Sequence, residues 1–313
     1  MKPEIRRAAQ ILRAGGLVAF PTETVYGLGA DATNAEAVRK LYAVKRRPAD
    51  HPVIIHFADA ETAFTWAREV SEGARELAGR FWPGPLTLIL KRSPLAKDFV
   101  TGGQDTVGLR VPSHPVAQEL LKEFSGAIAA PSANRFGLVS PTTAAHVRDD
   151  LGSEVELVLE GGASEVGIES TILDLSGPSP VLLRPGHIAK HQLREVLALE
   201  VFEKAVDAPR HPGGMERHYA PRTPARLVFS YELDKTIAQA KGDVAVLAFS
   251  RPDERVDYWL RMPRDPKAYA QRLYAALREL DTAGCERIII EAPPELPEWS
   301  AVRDRLKRAC GRA

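Results

Sequence analysis

The feature that most constrains this chain is how often its apolar runs are cut short. LVAF (17–20), VIIHF (53–57), LTLIL (86–90), VGLRVP (107–112) and AIAAPSAN (127–134) all end within eight residues. Runs of that length, bounded by Gly, Pro and polar residues, read as strands of a buried sheet. Some are joined through helices and others through plain turns. Pro3 to Ala14 sets Ile5, Ala8, Ala9 and Leu12 at helical spacing and stops at Gly15-Gly16. Asn34 can cap a helix to about Val44, a second helix is expected between Asp59 and Arg80, and Pro115 to Phe124 makes another. Thr142 to Leu151 follows, with Thr142 or Thr143 as cap. VELVLEGG, STILDLSG and PVLLRPG are three further strand-plus-turn units. Helical crossovers allow parallel neighbours and tight turns give antiparallel ones. The expected fold is therefore α/β with a mixed, strongly curved and twisted sheet.

The pattern stops between residues 203 and 224, where VDAPRHPGGMERHYAPRTPAR is rich in Pro, Gly, Arg and His. It then resumes as a regular alternation: RLVFS, DKTIAQAK, VAVLAFS, PKAYAQRLYAALREL, RIIIEAP and AVRDRLKRAC. Strand and helix in turn predict a small doubly wound, Rossmann-like α/β unit. The organisation read from sequence is a first domain over 1–202, a linker or lid over 203–224 and a second domain over 225–313. A length of 313 residues fits two cores better than one. The net charge is +1, so a nucleic-acid or membrane partner would have to be met by a local patch. The two cysteines, Cys285 and Cys310, have no metal-ligand spacing. The N-terminus is too polar for a signal peptide, and no apolar run approaches about 18 residues. A cytoplasmic protein without membrane contact is expected.

The candidate chemistry begins at FPTETVYGLGADATNAEAVRKLYAVKRRPADHPVIIHF (20–57). Thr22, Glu23 and Thr24 turn polar where a strand should stay apolar. Gly27 and Gly29 predict a turn that needs glycine backbone angles. GLGADA can be forced into a dinucleotide fingerprint, but no uninterrupted strand precedes it and no acidic strand end follows about 20 residues on. Lys45, Arg46 and Arg47 end a helix, either as a solvated last turn or as an anion clamp. His56 closes a strand. Arg110 sits among apolar neighbours, so its charge must be paired by a substrate carboxylate or by an internal acid. APSAN (130–134), SPTTAAHV (140–147), GIESTILD (167–174) and LLRPG (182–186) place hydroxyls or an arginine at strand ends. Together they suit a wide polar cavity for a nucleotide and a small polar acid. No GxxxxGK[ST], catalytic triad, zinc spacing or carboxylate pair stands out. That favours phosphoryl or nucleotidyl transfer by positioning and electrostatics, usually with Mg²⁺.

These segments, with AVKRRPADHPVIIHF, FWPGPLTLIL and VGLRVPSHP, resemble the threonylcarbamoyl-AMP synthase (YrdC-like) family, in its order and over nearly all of residues 1–200. HPGGMERHYAPRTP and the final α/β unit resemble its long, two-domain form. The resemblance implies that L-threonine, bicarbonate or CO2, and ATP with Mg²⁺ give threonylcarbamoyl-AMP and pyrophosphate. A separate tRNA threonylcarbamoyl transferase complex then modifies adenosine 37 of tRNAs that read codons starting with A. It implies Thr24, His56, Arg110, the Ala130 backbone and Ser170 for threonine, with Tyr26 nearby. It implies Lys45 and Arg47 as the catalytic cations. It implies Arg47, His51, Thr106, Ser132, Asn134, Ser140, Arg184 and Tyr219 for ATP, and no protein-bound metal. Tyr219 is expected to fold back from the linker over the nucleotide. The family often has asparagine where His51 stands, and a serine before the linker's Pro-Gly where this chain has His211.

Competing readings are an RNA-binding module using Arg46, Arg47, Arg135 and Arg184, a different carbamoyl transfer, and a dinucleotide oxidoreductase. A near-zero net charge without basic-aromatic interleaving argues against RNA as the main ligand, which leaves a weak tRNA contact at most. The related carbamoyl-transfer proteins of hydrogenase maturation add zinc-finger cysteines and an acylphosphatase segment, which this chain does not have.

Overall fold

The computed structural model describes residues 2–203 and 208–311. The chain divides into two compact units, and neither is one continuous stretch. The first comprises Met1–Phe136, Pro141–Glu165 and Glu169–Gly214; the second takes Gly137–Ser140, Val166–Ile168 and Met215–Ala313. Of the stretch read as a linker, residues 204–207 lie outside the described residues.

The first unit runs α1 (Pro3–Arg13), β1 (Val18–Phe20), β2 (Gly27–Asp31), α2 (Ala35–Lys45), β3 (Ile54–His56), α3 (Ala60–Phe64), α4 (Glu72–Phe81), β4 (Leu86–Lys91) and α5 (Asp98–Thr101). It continues β5 (Thr106–Arg110), α6 (Pro115–Phe124), β6 (Ile128–Ala129), α7 (Ala144–Leu151), β7 (Leu157–Val158), β8 (Thr171–Asp174), β9 (Val181–Arg184) and α8 (Lys190–Leu197). Its nine strands form one sheet in the order β7-β1-β2-β6-β3-β5-β4-β8-β9. The sheet is mixed, as expected: β1/β7, β3/β5 and β4/β8 are parallel pairs and the rest antiparallel.

Local chemistry sets the ends of these elements. Pro3 opens α1, whose buried stripe is Ile5, Ala8, Ala9 and Leu12. The Asn34 carboxamide accepts from the N–H groups of Glu36 and Ala37 to start α2, and Thr143 starts α7 through the His146 N–H. The single helix expected between Asp59 and Arg80 is two. Asp59 caps the first through the Thr62 N–H, and Ser71 caps the second through the Ala74 N–H. Two acceptors able to start a helix, twelve residues apart, break what periodicity alone reads as one run.

A second correction concerns Gly27 and Gly29. They do not form a turn but lie in strand β2, and neither has a positive φ. Gly29 is required by close approach instead. A Cβ there would lie 2.9 Å from the Phe20 ring and 3.0 Å from Ile128 Cγ2.

The second unit contains β10 (Ala225–Val228), α9 (Leu233–Gln239), β11 (Val244–Ala248), β12 (Tyr258–Arg261), α10 (Pro266–Asp281), β13 (Arg287–Glu291) and α11 (Ser300–Cys310). All its strand pairs are parallel, in the order β10-β13-β11-β12. The doubly wound expectation holds, with one strand, β12, that sequence reading passed over. None of the described helices is long and apolar enough to cross a membrane.

Candidate active site

The polar break after β1 is a hydroxyl turn. Thr22 Oγ1 accepts the N–H groups of Thr24 and Val25, both at 3.2 Å, and donates to the Val25 carbonyl at 2.6 Å. It also lies 2.8 Å from Thr24 Oγ1, which fixes that hydroxyl. Arg110 Nη2 donates to Thr24 Oγ1 at 2.9 Å. Arg110 closes β5, in register with His56, which closes the neighbouring strand β3. Thr24, His56 and Arg110, 86 residues apart at the extremes, are thus gathered at one edge by the parallel β3/β5 pairing.

The internal acid that Arg110 calls for is Glu23. Arg110 Nη2 meets Glu23 Oε1 at 2.8 Å with both side chains 5% exposed, and the Ser113 N–H donates to Glu23 Oε2 at 3.1 Å. Among the described residues, Arg110 Nε is buried without a hydrogen-bond partner, and so is His56 Nδ1. Two such polar atoms in one buried corner keep hydrogen-bonding capacity that a bound ligand or water can use. Burial first, and the Arg110 charge second, push the His56 imidazole down to about 3, so it is neutral across the physiological range. Tyr26 lies close by in sequence, but its hydroxyl is engaged: it donates to the Gly162 carbonyl at 2.8 Å and accepts from the Gly161 N–H at 3.2 Å.

Ser170 and Arg184 meet as well. Ser170 precedes β8, Arg184 ends the adjacent β9, and Arg184 Nη2 donates to Ser170 Oγ at 3.0 Å. Arg184 Nε donates to the Ser170 carbonyl and Nη1 to the Pro212 carbonyl, each at 3.0 Å. Thr87 on β4 completes the group, 2.8 Å from Ser170 Oγ. Glu23 reads from sequence as part of a polar break with no site role, and Thr87 is not singled out. Glu23 had a signal in the unexplained charge of Arg110; Thr87, inside the apolar LTLIL, had none.

The cations after α2 are sorted by one backbone angle. Arg46 adopts the left-handed conformation (φ 54°) at the C-cap and stays exposed, which turns Arg47 inward. Arg47 Nη2 donates to the Pro52 carbonyl at 2.7 Å, and its guanidinium lies 6.0 Å from the centre of the Tyr42 ring and 5.3 Å from that of Phe136. His51 packs edge-on against Phe136 at 5.3 Å, and burial, then the Arg47 charge, lower its pKa. Lys45 is fully enclosed and donates Nζ to the carbonyls of Ser132 and Asn134. Burial, then Arg47, hold its pKa well below the ordinary lysine value.

Lys45 thereby ties α2 to the APSAN turn. Within that turn the Ala130 N–H donates to the Ile54 carbonyl at 3.0 Å, and Asn134 Nδ2 to the Arg135 carbonyl at 2.8 Å. Thr106 stands apart from Arg110: it opens β5 opposite Lys91, about 13 Å of strand away. Ser140 and Tyr219 belong to the second unit. The Ser140 carbonyl accepts from Arg278, and Tyr219 packs on Tyr274 with the Arg305 guanidinium 5.3 Å from its ring centre.

The first-unit groups can hold an acid at Arg110, a hydrogen-bonding group at neutral His56 and anionic oxygens near Arg47 and Arg184. Comparison with known proteins narrows this. The family model described as telomere recombination, covering Sua5, YciO and YrdC, matches residues 10–186. The model described as threonylcarbamoyl-AMP synthase, C-terminal domain, matches residues 188–311. The threonylcarbamoyl-AMP synthase of Pyrococcus abyssi is 40% identical, over 98% of this chain and 94% of that one. That of Bacillus subtilis is also 40% identical, over 99% and 93%. A crystal structure of P. abyssi Sua5 complexed with L-threonine superposes with a TM-score of 0.91 at 39% identity, covering 98% of this chain and 94% of that one. The resemblance first met in scattered motifs extends over both units, and the chain belongs to the threonylcarbamoyl-AMP synthase family.

Proposed function

We propose that this chain is an L-threonylcarbamoyladenylate synthase. It joins L-threonine, CO2 or bicarbonate, and ATP into threonylcarbamoyl-AMP and pyrophosphate. The observation that carries the reading is the buried corner where β3 and β5 end. There the unpartnered Arg110 Nε lies in register with a neutral His56 and beside Thr24. A relative solved with L-threonine supports the choice of acid.

The chemistry follows from these groups. Arg110 receives the threonine carboxylate, and Thr24 and Ser170 receive its polar groups, with the Ala130 backbone alongside. The α-ammonium first releases a proton to solvent; the free amine then adds to CO2 and loses a second proton to solvent, giving a carbamate. Neutral His56 Nδ1 accepts a hydrogen bond there without adding charge. A carbamate oxygen then attacks the α-phosphorus of ATP, the bond to the bridging oxygen breaks, and pyrophosphate leaves with the electron pair. Neither step needs a covalent enzyme nucleophile. Mg²⁺ belongs to this scheme as part of the substrate MgATP. Arg47 and Lys45 oppose charge growing on the leaving phosphates, Lys45 also by fixing the Ser132–Asn134 turn. His51, Ser132, Asn134 and Arg184 make up the rest of the nucleotide group, while Thr106, Ser140 and Tyr219 enter it through the resemblance alone. The product is handed to a separate tRNA threonylcarbamoyl transferase complex in the cytoplasm. It serves N6-threonylcarbamoyladenosine formation at position 37 of tRNAs reading ANN codons.

The test is pyrophosphate release by the purified chain with MgATP, leaving out L-threonine or bicarbonate in turn, with mass spectrometry of the product. Release that needs both and yields threonylcarbamoyl-AMP is expected. ATP binding without threonine-dependent release would overturn the reading.

A further inference from the structure

Glu23 holds the centre of the amino-acid corner, yet neither the resemblance nor the scheme above gives it a task. We propose that Glu23 makes this corner selective for a zwitterion, so that it takes an amino acid and rejects a plain carboxylic acid. The inference rests on the reading of the corner as an amino-acid site.

The argument is one of charge. Glu23 and Arg110 are 2.8 Å apart and each 5% exposed, so the corner contains a desolvated ion pair with no net charge. A plain carboxylate docking on Arg110 brings a second negative charge beside Glu23, where solvent screens little. An amino acid entering as a zwitterion brings both signs: its carboxylate faces Arg110 and its ammonium balances Glu23. Each Glu23 oxygen has one donor, Arg110 Nη2 on one and the Ser113 N–H on the other. A carboxylate accepts about four hydrogen bonds, so both oxygens keep capacity to accept from an ammonium. Arg110 Nε is likewise a donor without a partner. His56 carries no negative charge in either protonation state, whereas the Glu23 carboxylate, held beside Arg110 Nη2, does. If Glu23 only held Arg110 in place, its loss would weaken every carboxylate ligand alike.

Calorimetry on the full chain separates the two roles. L-threonine is compared with 3-hydroxybutyrate, the same skeleton without the amine, in the wild type, Glu23→Gln and Glu23→Asp. MgATP binding and the unfolding midpoint control for folding. Glu23→Gln is expected to weaken threonine by roughly 30-fold or more and to leave 3-hydroxybutyrate unchanged or tighter. Glu23→Asp is expected to restore much of the preference. Equal weakening of both ligands, or unchanged threonine affinity in Glu23→Gln, would overturn the proposal. So would a wild type that binds 3-hydroxybutyrate as tightly as threonine, whether or not Glu23→Gln folds. A wild type that binds neither ligand would instead overturn the amino-acid reading, and this proposal with it.

Discussion

His56 shows what burial does to a single titratable group. In the unfolded chain its imidazole takes a proton near pH 6.5; in the folded chain it does so only at about 3. Between those values the unfolded state binds more protons, so folding stability falls as pH drops from 6.5 toward 3. Above pH 6.5 this contribution is complete and flat. Denaturant unfolding at pH 7.5 and 5.5 should show a loss of stability in the wild type that His56→Asn reduces. An equal loss in both would place the titrating group elsewhere. At this scale the sequence was half legible. Arg110 between apolar neighbours announced a buried charge in need of a partner, but Glu23 lies 87 residues away, and only the fold decides which acid arrives. The register that sets His56 beside Arg110 is likewise a property of strand pairing.

Among the elements, β2 is the instructive one. Two glycines in five residues read as a turn, because the usual reason for glycine is its backbone freedom. Here the reason is space: Phe20 and Ile128 close over Gly29 from the neighbouring strands. Gly29→Ala should cost about 1–3 kcal/mol through overpacking. It should also shift Phe20, whose ring stands edge-on to His56 at 6.2 Å. Thermal unfolding and threonine binding would then decline together, and a variant with wild-type stability would refute the packing argument. Strands with apolar runs, such as LTLIL, were legible from pattern alone. Tyr258–Arg261 was not, because two of its four residues are half-buried and one is exposed, so no clean period marks it. The caps Asn34 and Thr143 were legible because capping chemistry is local.

At the scale of the whole molecule, the division into two α/β units was visible in the Pro- and Gly-rich break, but the way the chain is shared between them was not. The second unit borrows Gly137–Ser140 and Val166–Ile168 from inside the sequence of the first. Within it the Ala220 N–H donates to the Gly137 carbonyl at 3.0 Å, and Arg278 donates to the carbonyls of Val139 and Ser140. Gly167, with φ +77°, has room for no Cβ: Gln271 Cα would be 2.4 Å away. A chain cut after Gly214 leaves those carbonyls without their donors. Its threonine-dependent pyrophosphate release should fall sharply, and full activity in that truncation would show that the borrowed segments do not matter for catalysis. The borrowing also imposes an order in time. Ser140 is synthesised 138 residues before Arg278, an interval of about 7–28 s at ~5–20 residues per second. Through that interval the nascent first unit carries two loose ends that only the last third of the message can tie.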